Sequence, residues 1–382
     1  MEPRKFVAPE FILGEGALDL VGRYAANLAA KKVFLVTDPG VIRAGLATKV
    51  ENSLAQAGLP FVVFSDTAPN PKDVEVMAGA ELYLREQCDV IVAVGGGSPM
   101  DCAKGIGIVV SNGANILLFE GVDRVETPCP PLICIPTTAG SSADISQFAI
   151  ITDTARKVKI AIISKVLMPD LALVDPLATL SMPAALTAAT GLDALVHAIE
   201  AYVSNANSPV TDLHALEAIR LVARNLKGAI EHPLDLGFRK PMMLASLLAG
   251  LAFSNASLGL VHAMAHSLGG LSNVPHGDCN ALLLEYVVAH NFDSVPRRYV
   301  AIGEAFGLEI AGLPRGEQKG RLVEALRRFR IEAGVTGGLG ELGIRKADLP
   351  KLAENASKDP CIVTNPVQPT VQEIEMIYER AF

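Results

Sequence analysis

The side chains in this sequence best suited to chemistry are histidines that recur at helical spacing beside a carboxylate. Asp193 and His197 are four residues apart, so both would project from one face of a helix. His262 and His266 repeat that spacing, and His276 follows in a Pro-His-Gly turn. One carboxylate and several imidazoles, with no thiolate, suit Fe²⁺, Zn²⁺, Mn²⁺ or Co²⁺. The pattern predicts a divalent metal site, and spacing does not name the metal.

Each pair, taken alone, also has an ordinary structural explanation. A four-apart Asp/His pair occurs on solvated helix faces, and a single buried histidine is usually satisfied by the core. The stretch from Pro241 to Gly277 contains no Asp, Glu, Lys or Arg but holds three histidines. Burying imidazoles among apolar residues is costly unless something satisfies them, which favours the metal interpretation. This stretch is long enough to cross a membrane, but its polar residues and histidines favour buried helices of a helical domain.

A second chemical feature is a glycine-rich turn between a β-branched run and a helix. The run from Asp89 to Val94 leads into Gly95, Gly96 and Gly97, followed by Ser98. Glycines let backbone amides approach a pyrophosphate, and the start of the next helix presents free N–H groups. The turn therefore predicts a phosphate-binding site for a dinucleotide. It is not the G-x-G-x-x-G fingerprint, and a purely structural role remains the alternative.

Further polar residues follow other predicted strands. Asp38 ends the first clear strand, where a carboxylate can bind the adenosine ribose and repel a 2′-phosphate, which favours NAD over NADP. The alternative is an Asp that only forms a turn. Thr137 and Thr138 follow a later strand and suit phosphate or ribose, or an ordinary capped turn. Asp101 and Lys104 lie early in the helix after the glycines, where we expect Lys104 to reach cofactor or substrate oxygens.

The elements that would carry these residues divide the chain into two halves of different periodicity. Short β-branched runs alternate with amphipathic segments over the first 180 residues, which is typical of a mostly parallel sheet wrapped by helices. The predicted strands are 32–37, 61–65, 89–94, 132–136, 148–152, 158–163 and 172–174, with an antiparallel portion among the last three. The predicted helices are 41–57, 73–86 and 99–110, then 183–202, 209–227 and 322–333. We therefore predict an α/β dinucleotide-binding domain at 1–180 and an all-α metal-binding domain at 181–382.

Composition narrows the class of protein. A net charge of -8 and the absence of any Lys/Arg-rich run argue against a nucleic-acid partner. The N-terminal residues lack the apolar core of a secretion signal, so we expect a cytoplasmic protein with no membrane partner. The six cysteines form no C-x-x-C pair, and we expect them to be free thiols.

Taken together, these segments resemble the iron-containing alcohol dehydrogenase family. The likeness spans almost the whole chain and rests on ordered motifs, namely FILGEGA, PNP, GGGSPMDCAK, PTTAG, GLDALVHAIEAY, GLVHAMAHSLGG, PHG and KDP with TNP. It implies a Rossmann-like, mostly parallel α/β domain, an all-α domain after it, and an active site in the cleft between them. It also implies a metal-dependent, NAD-linked alcohol dehydrogenase for small primary alcohols or diols, which reduces aldehydes in reverse.

The resemblance also assigns roles to individual residues. It places the metal ligands at Asp193, His197, His262 and His276, holding Fe²⁺ with Zn²⁺ as an alternative ion. His266 resembles a family histidine that lies near the nicotinamide and relays protons, and these five residues are the candidate catalytic set. The candidate NAD-binding residues are Asp38, Asn70, Gly95, Gly96, Gly97, Ser98, Asp101, Thr137, Thr138, Ser141 and Lys159.

One segment departs from the family pattern. Most members read G-T-G-S-E after PTTA, whereas this chain reads Gly140-Ser141-Ser142-Ala143-Asp144. Because of this change the sequence does not identify the substrate. The change is also the only hint that the protein is a catalytically silent NAD- or metal-binding sensor. A cyclising enzyme that resembles dehydroquinate synthase is another alternative, although it needs a more basic site than the apolar region 260–271 indicates. We also expect a homodimer or a higher homo-oligomer.

Overall fold

Nine strands, all in the first half of the chain, build two sheets in the computed structural model, which describes residues 3–272 and 274–382. The strands are β1 (Glu10–Leu13), β2 (Val33–Val36), β3 (Phe61–Phe64), β4 (Val90–Gly95), β5 (Gly121–Val122), β6 (Leu132–Pro136), β7 (Phe148–Asp153), β8 (Val158–Ile163) and β9 (Leu171–Val174). Six of them form a fully parallel sheet in the order β1-β9-β6-β4-β2-β3. The other sheet pairs β8 antiparallel with β7 and parallel with β5.

Helices account for most of the remaining chain. The first half contains α1 (Val21–Asn27), α2 (Pro39–Arg43), α3 (Leu46–Gln56), α4 (Asp73–Arg85) and α5 (Gly97–Asn112). The second half contains α6 (Ala184–Val203), α7 (Pro209–Glu231), α8 (Leu236–Ala256), α9 (Leu260–Ser272), α10 (His276–Asn291), α11 (Pro296–Ala305), α12 (Arg315–Glu332), α13 (Leu349–Ala356) and α14 (Val371–Arg380). The predicted α/β class for the first half and all-α class for the second are both confirmed.

The parallel sheet is buried on both faces. In β2, Phe34 and Val36 belong to one core cluster, while Val33 and Leu35 belong to another. Successive side chains of a strand point to opposite faces, so helices must cover both sides of the sheet. This explains why its central strands read as continuous apolar runs rather than alternating ones.

Contacts divide the chain at Met182 and Pro183 into two units, each with its own core. The first unit is Val7–Met182, and the second runs from Pro183 to Phe382 and includes the described N-terminal residues up to Phe6. In the second unit nearly all of α6 from Thr187 onward is buried. Helix α8 has the length and composition to cross a membrane, but 61% of its most apolar 18-residue stretch is buried within the protein. A helix in the core of a protein can have the same length and composition, and we interpret α8 as a core helix.

Several details of the first half differ from the predictions, including helix α1 and strand β5, which were not predicted. The prediction of a single helix over 41–57 is wrong, because α2 ends at Arg43 and α3 begins at Leu46. Gly45 between them has φ +76, a left-handed conformation that interrupts the helix. Strand β1 was not predicted, since its four residues lie at the sheet edge and are mostly exposed. All six cysteines are free, as expected.

Candidate metal centre and cofactor-binding turn

Three helices of the second unit bring the predicted metal ligands together. Asp193 and His197 project from α6, His262 from α9, and His276 from the first position of α10. Oδ1 of Asp193 lies 3.9 Å from Nε2 of His197, 3.7 Å from Nε2 of His262 and 4.0 Å from Nε2 of His276. One carboxylate oxygen therefore faces three imidazole nitrogens at distances beyond direct hydrogen bonding.

These donors fit a divalent cation. Ligand atoms bound at about 2.1 Å around a tetrahedral ion lie roughly 3.4 Å apart, close to the separations seen here. Asp193, His262 and His276 each offer a ligand atom within 4.8 Å of the others. His197 is outside that closest group, although its ring stacks on His262 at 4.6 Å and on Phe253 at 4.3 Å. Aromatic stacking holds the His197 imidazole beside the other donors.

The electrostatic environment matches this donor set. Burial by itself raises the pKa of Asp193, but the neighbouring histidines hold that pKa well below its usual range. Burial lowers the pKa of His262, yet the neighbouring carboxylates of Asp193 and Glu200 raise it to about 9. An incoming cation would therefore compete with a proton on His262. The His276 side chain is 27% exposed, whereas those of Asp193, His197 and His262 are nearly inaccessible.

The sequence-based predictions missed three polar residues around the donors: Glu200 and Asn280, which are buried, and Asp359, which is partly buried. Oε2 of Glu200 lies 2.6 Å from Nδ1 of His262, and Oδ2 of Asp359 lies 2.8 Å from Nδ1 of His266. The Asn280 amide donates to Oδ1 of Asp193 at 2.7 Å. Two features of the sequence could have indicated them. One is a charged Glu inside the apolar GLDALVHAIEAY segment, and the other is an Asn four residues after His276. The KDP motif carries part of the family likeness, but the sequence alone indicates no role for its Asp.

The candidate cofactor residues of the first unit gather where parallel strands β4 and β6 end. Gly95 closes β4 with φ +157, and Gly96 precedes the first turn of α5. The Thr137 amide donates to the carbonyl of Gly95 at 2.8 Å. A Cβ on Gly96 would lie 3.2 Å from Cγ2 of Thr138. The glycine turn therefore packs closely against the loop that contains Thr137 and Thr138. Both lie at the carboxyl ends of the parallel strands, where such folds bind ligands.

Four further candidates lie in the same part of this unit. Ser98 accepts a hydrogen bond from the Asn70 amide at 3.2 Å, and Lys159 donates to Oδ1 of Asn70 at 2.8 Å. A Cβ on Gly97 would lie 3.0 Å from Cβ of Ser141. The structure thus connects Asn70 with both Ser98 and Lys159 and places Ser141 against the glycine turn.

Asp38 caps the N-terminus of helix α2. It precedes α2, and its Oδ1 accepts hydrogen bonds from the amides of Gly40 at 2.7 Å and Val41 at 3.0 Å. Such an N-cap satisfies amides that have no partner within the helix. Both interpretations offered for this residue therefore remain compatible with its position at the end of β2.

Lys104 does not behave as predicted. Its side chain is buried, and Nζ donates to the carbonyl oxygens of Ser146 at 2.7 Å and Phe148 at 2.9 Å. These bonds tie α5 to the chain before and within β7, so the expectation that Lys104 reaches cofactor or substrate oxygens is wrong. The nearby Asp101 carboxyl is buried, which raises its pKa to about 7 despite the charge of Lys104.

Comparisons with known proteins identify the family of this chain. Residues 8–176 match the iron-containing alcohol dehydrogenase family model, and residues 187–382 match the C-terminal domain of the same family. The chain is 43% identical to 1,3-propanediol dehydrogenase of Klebsiella pneumoniae over 371 residues, which is 97% of this chain and 96% of that protein. It is 39% identical to an NAD-dependent methanol dehydrogenase of Bacillus methanolicus over 376 residues, 98% of this chain and 99% of that one.

Structural similarity extends over the same length. A crystal structure of a 1,3-propanediol oxidoreductase superposes with a TM-score of 0.96 at 42% identity and covers 100% of both chains. The α/β unit and the helical unit with its Asp/His cluster define a metal-dependent oxidoreductase. The chain belongs to the iron-containing alcohol dehydrogenase family. This supports the dehydrogenase interpretation over a cyclising synthase or a silent sensor.

Proposed function

We propose that this protein uses Fe²⁺ and NAD to oxidise small primary alcohols or diols, and that it reduces the matching aldehydes in reverse. The observation that carries the proposal is the convergence of Asp193 Oδ1 with the Nε2 atoms of His197, His262 and His276. The names of two relatives, a 1,3-propanediol dehydrogenase and an NAD-dependent methanol dehydrogenase, support small substrates and NAD. Zn²⁺ is the alternative ion, because the same donor set suits both.

Each group has a defined place in this proposal. Asp193, His197, His262 and His276 would hold the ion, and the glycine turn with Asp38, Asn70 and Thr138 would hold NAD. The ion supplies Lewis acidity toward the substrate oxygen, and NAD accepts the hydride. His266 keeps its Nδ1 on Asp359, so its Nε2 would take up or release the hydroxyl proton.

The proposal includes a cytoplasmic homodimer or higher homo-oligomer. Strand β1 lies at the edge of the parallel sheet, where Phe11 and Leu13 are 40% and 41% exposed. An exposed strand edge with apolar side chains is a common site of association. Analytical ultracentrifugation of the protein would test this, and a purely monomeric species would contradict it.

The catalytic proposal is tested by loading the protein anaerobically with Fe²⁺ or Zn²⁺ and following NADH formation with primary alcohols and diols. Metal content and NAD affinity are measured on the same samples. We expect turnover with at least one short alcohol or diol, and NAD preferred over NADP. A protein that binds metal and NAD but turns over none of them would favour the silent sensor.

A further inference from the structure

Glu200 is a buried acid that the proposed reaction does not use. It lies on α6, one turn beyond His197, and is 4% exposed. Its carboxylate accepts hydrogen bonds from Nδ1 of His262 at 2.6 Å, from the amide of Val261 at 2.6 Å and from the amide of Gly259 at 3.0 Å. One acid therefore binds both a candidate metal ligand and the backbone that leads into its helix.

The backbone contacts belong to the start of α9, where helical amides have no partner within the helix. Glu200 satisfies the amides of Gly259 and Val261, and Oδ1 of Asn365 accepts the amide of Leu260 between them at 3.1 Å. A negative charge at a helix N-terminus is also favoured by the helix dipole. The first turn of α9 is therefore held against α6 by Glu200.

The contact with His262 determines which ring nitrogen faces the other donors. A carboxylate only accepts hydrogen bonds, so Nδ1 of His262 carries a hydrogen and its Nε2 is directed toward Asp193. A carboxylate behind a histidine fixes the orientation of the ring and strengthens its other nitrogen as a metal ligand. It also adds a second negative charge to that of Asp193 beside the site of a divalent cation.

Gly259 allows the carboxylate to come this close. A Cβ at Gly259 would lie 2.9 Å from Oε1 of Glu200 and 2.9 Å from Oδ1 of Asn365. Both distances are shorter than ordinary contacts, so an alanine here would push the two caps away from the helix start. The sequence thus contains a way to displace Glu200 without removing its charge.

We propose that Glu200 is a positioning residue that sets the metal affinity of the site by orienting His262 and anchoring the first turn of α9. This inference rests on the proposed metal site, and it assigns to Glu200 no contact with substrate or cofactor. A carboxylate used only to cap α9 would affect folding stability but not the affinity for the ion.

The test measures Co²⁺ and Zn²⁺ dissociation constants by chelator competition in the full-length protein, without assaying activity. Glu200→Gln keeps the shape and an acceptor oxygen but removes the charge, and we expect about 10- to 100-fold weaker binding. The visible spectrum of the Co²⁺ protein should also shift, because a neutral amide behind His262 makes its Nε2 a weaker metal ligand. Gly259→Ala, which displaces the carboxylate but retains it, should weaken binding in the same direction.

Glu285→Gln is the matched control. Glu285 is another buried acid of this unit, on α10, and it pairs with Arg330 at 3.4 Å. Its replacement should lower the unfolding midpoint and leave the Co²⁺ dissociation constant unchanged. Wild-type affinity in both Glu200→Gln and Gly259→Ala, with lower stability, would overturn the proposed role. A wild-type protein that binds neither Co²⁺ nor Zn²⁺ would overturn the metal site itself, and this role with it.

Discussion

Nδ1 of His266 lies 2.8 Å from Oδ2 of Asp359, so this histidine has a carboxylate partner different from the one that holds His262. Burial alone raises the pKa of Asp359, but His266 brings that pKa below its usual value. The two histidines of α9 are therefore distinguished by their acids: Asp193 and Glu200 flank one, and Asp359 pairs with the other.

This difference predicts that replacing each histidine has a distinct effect. His262→Ala should lower metal occupancy and activity together, because a ligand is lost. His266→Ala should retain metal but lose about 100-fold or more in kcat, since a proton relay is removed. Asp359→Asn should follow His266→Ala with a smaller loss. Iron and zinc are quantified after anaerobic preparation, and a metal-free His266→Ala beside a metal-loaded His262→Ala would reverse the assignment.

Asp38 can be tested without disturbing the helix it caps. Asp38→Asn preserves an acceptor for the amides of Gly40 and Val41 but removes the charge that would repel a 2′-phosphate. We expect the ratio of kcat/KM for NADP over NAD to rise about tenfold or more. Asp38→Glu, which keeps the charge, is the control and should retain the NAD preference. Equal ratios in Asn and wild-type proteins would leave Asp38 as a cap only.

The glycine turn predicts a selective loss of cofactor binding. In Gly96→Val the new side chain would begin 3.2 Å from Cγ2 of Thr138 and fill the space beside the start of α5. NAD should bind at least about tenfold more weakly, because backbone amides could no longer approach a pyrophosphate. Calorimetric titration and metal content are measured on one sample, with Gly316→Ala, which meets no neighbour, as a control. Undiminished NAD affinity in a folded Gly96→Val protein would locate the phosphate site elsewhere.

Ser142, where the family pattern has glycine, should lower the stability of the protein through backbone strain. Ser142 has φ +52, a left-handed conformation that favours glycine. Ser142→Gly and Ser142→Ala both lose the hydroxyl contact to the Gly140 carbonyl, but only glycine relieves the backbone. Ser142→Gly should therefore be more stable than Ser142→Ala by about 1 kcal/mol. Denaturant unfolding of both variants checks this, and equal stabilities would show that the conformation carries no strain.

Asp144 predicts a dependence of stability on pH. Burial raises its pKa from 3.8 to about 6, so the folded state holds the proton more tightly than the unfolded one. The stability this provides is complete below pH 3.8 and is lost as pH rises through about 6. Relative to wild type, Asp144→Asn should gain roughly 1–3 kcal/mol of unfolding free energy between pH 4 and 7.

The matched control for Asp144 is the exposed Asp66. Denaturant unfolding of wild type, Asp144→Asn and Asp66→Asn is compared at several pH values across that window. A difference between Asp144→Asn and wild type that stays constant with pH would mean that Asp144 is ionised in the folded protein throughout.

Local periodicity was enough to predict both classes of secondary structure and most strands. Strands β6 and β8 lie at their predicted residues, since buried β-branched runs between turns have few other solutions. Helical spacing likewise placed Asp193 with His197 and His262 with His266 on common faces, because both pairs lie within single helices. The break at Gly45 was missed because its cause is one left-handed residue rather than a change of pattern.

Spacing along one helix treats His262 and His266 as equivalent, and the acids that distinguish them come from elsewhere in the chain. Glu200 lies 62 residues before His262, and Asp359 lies 93 residues after His266. The same holds for Lys104, which was expected to contact a ligand. It instead donates hydrogen bonds to the carbonyl oxygens of Ser146 and Phe148, which lie 42 and 44 residues later in the chain. Pairings of this kind depend on how helices and strands pack in three dimensions, which periodicity along the chain does not encode.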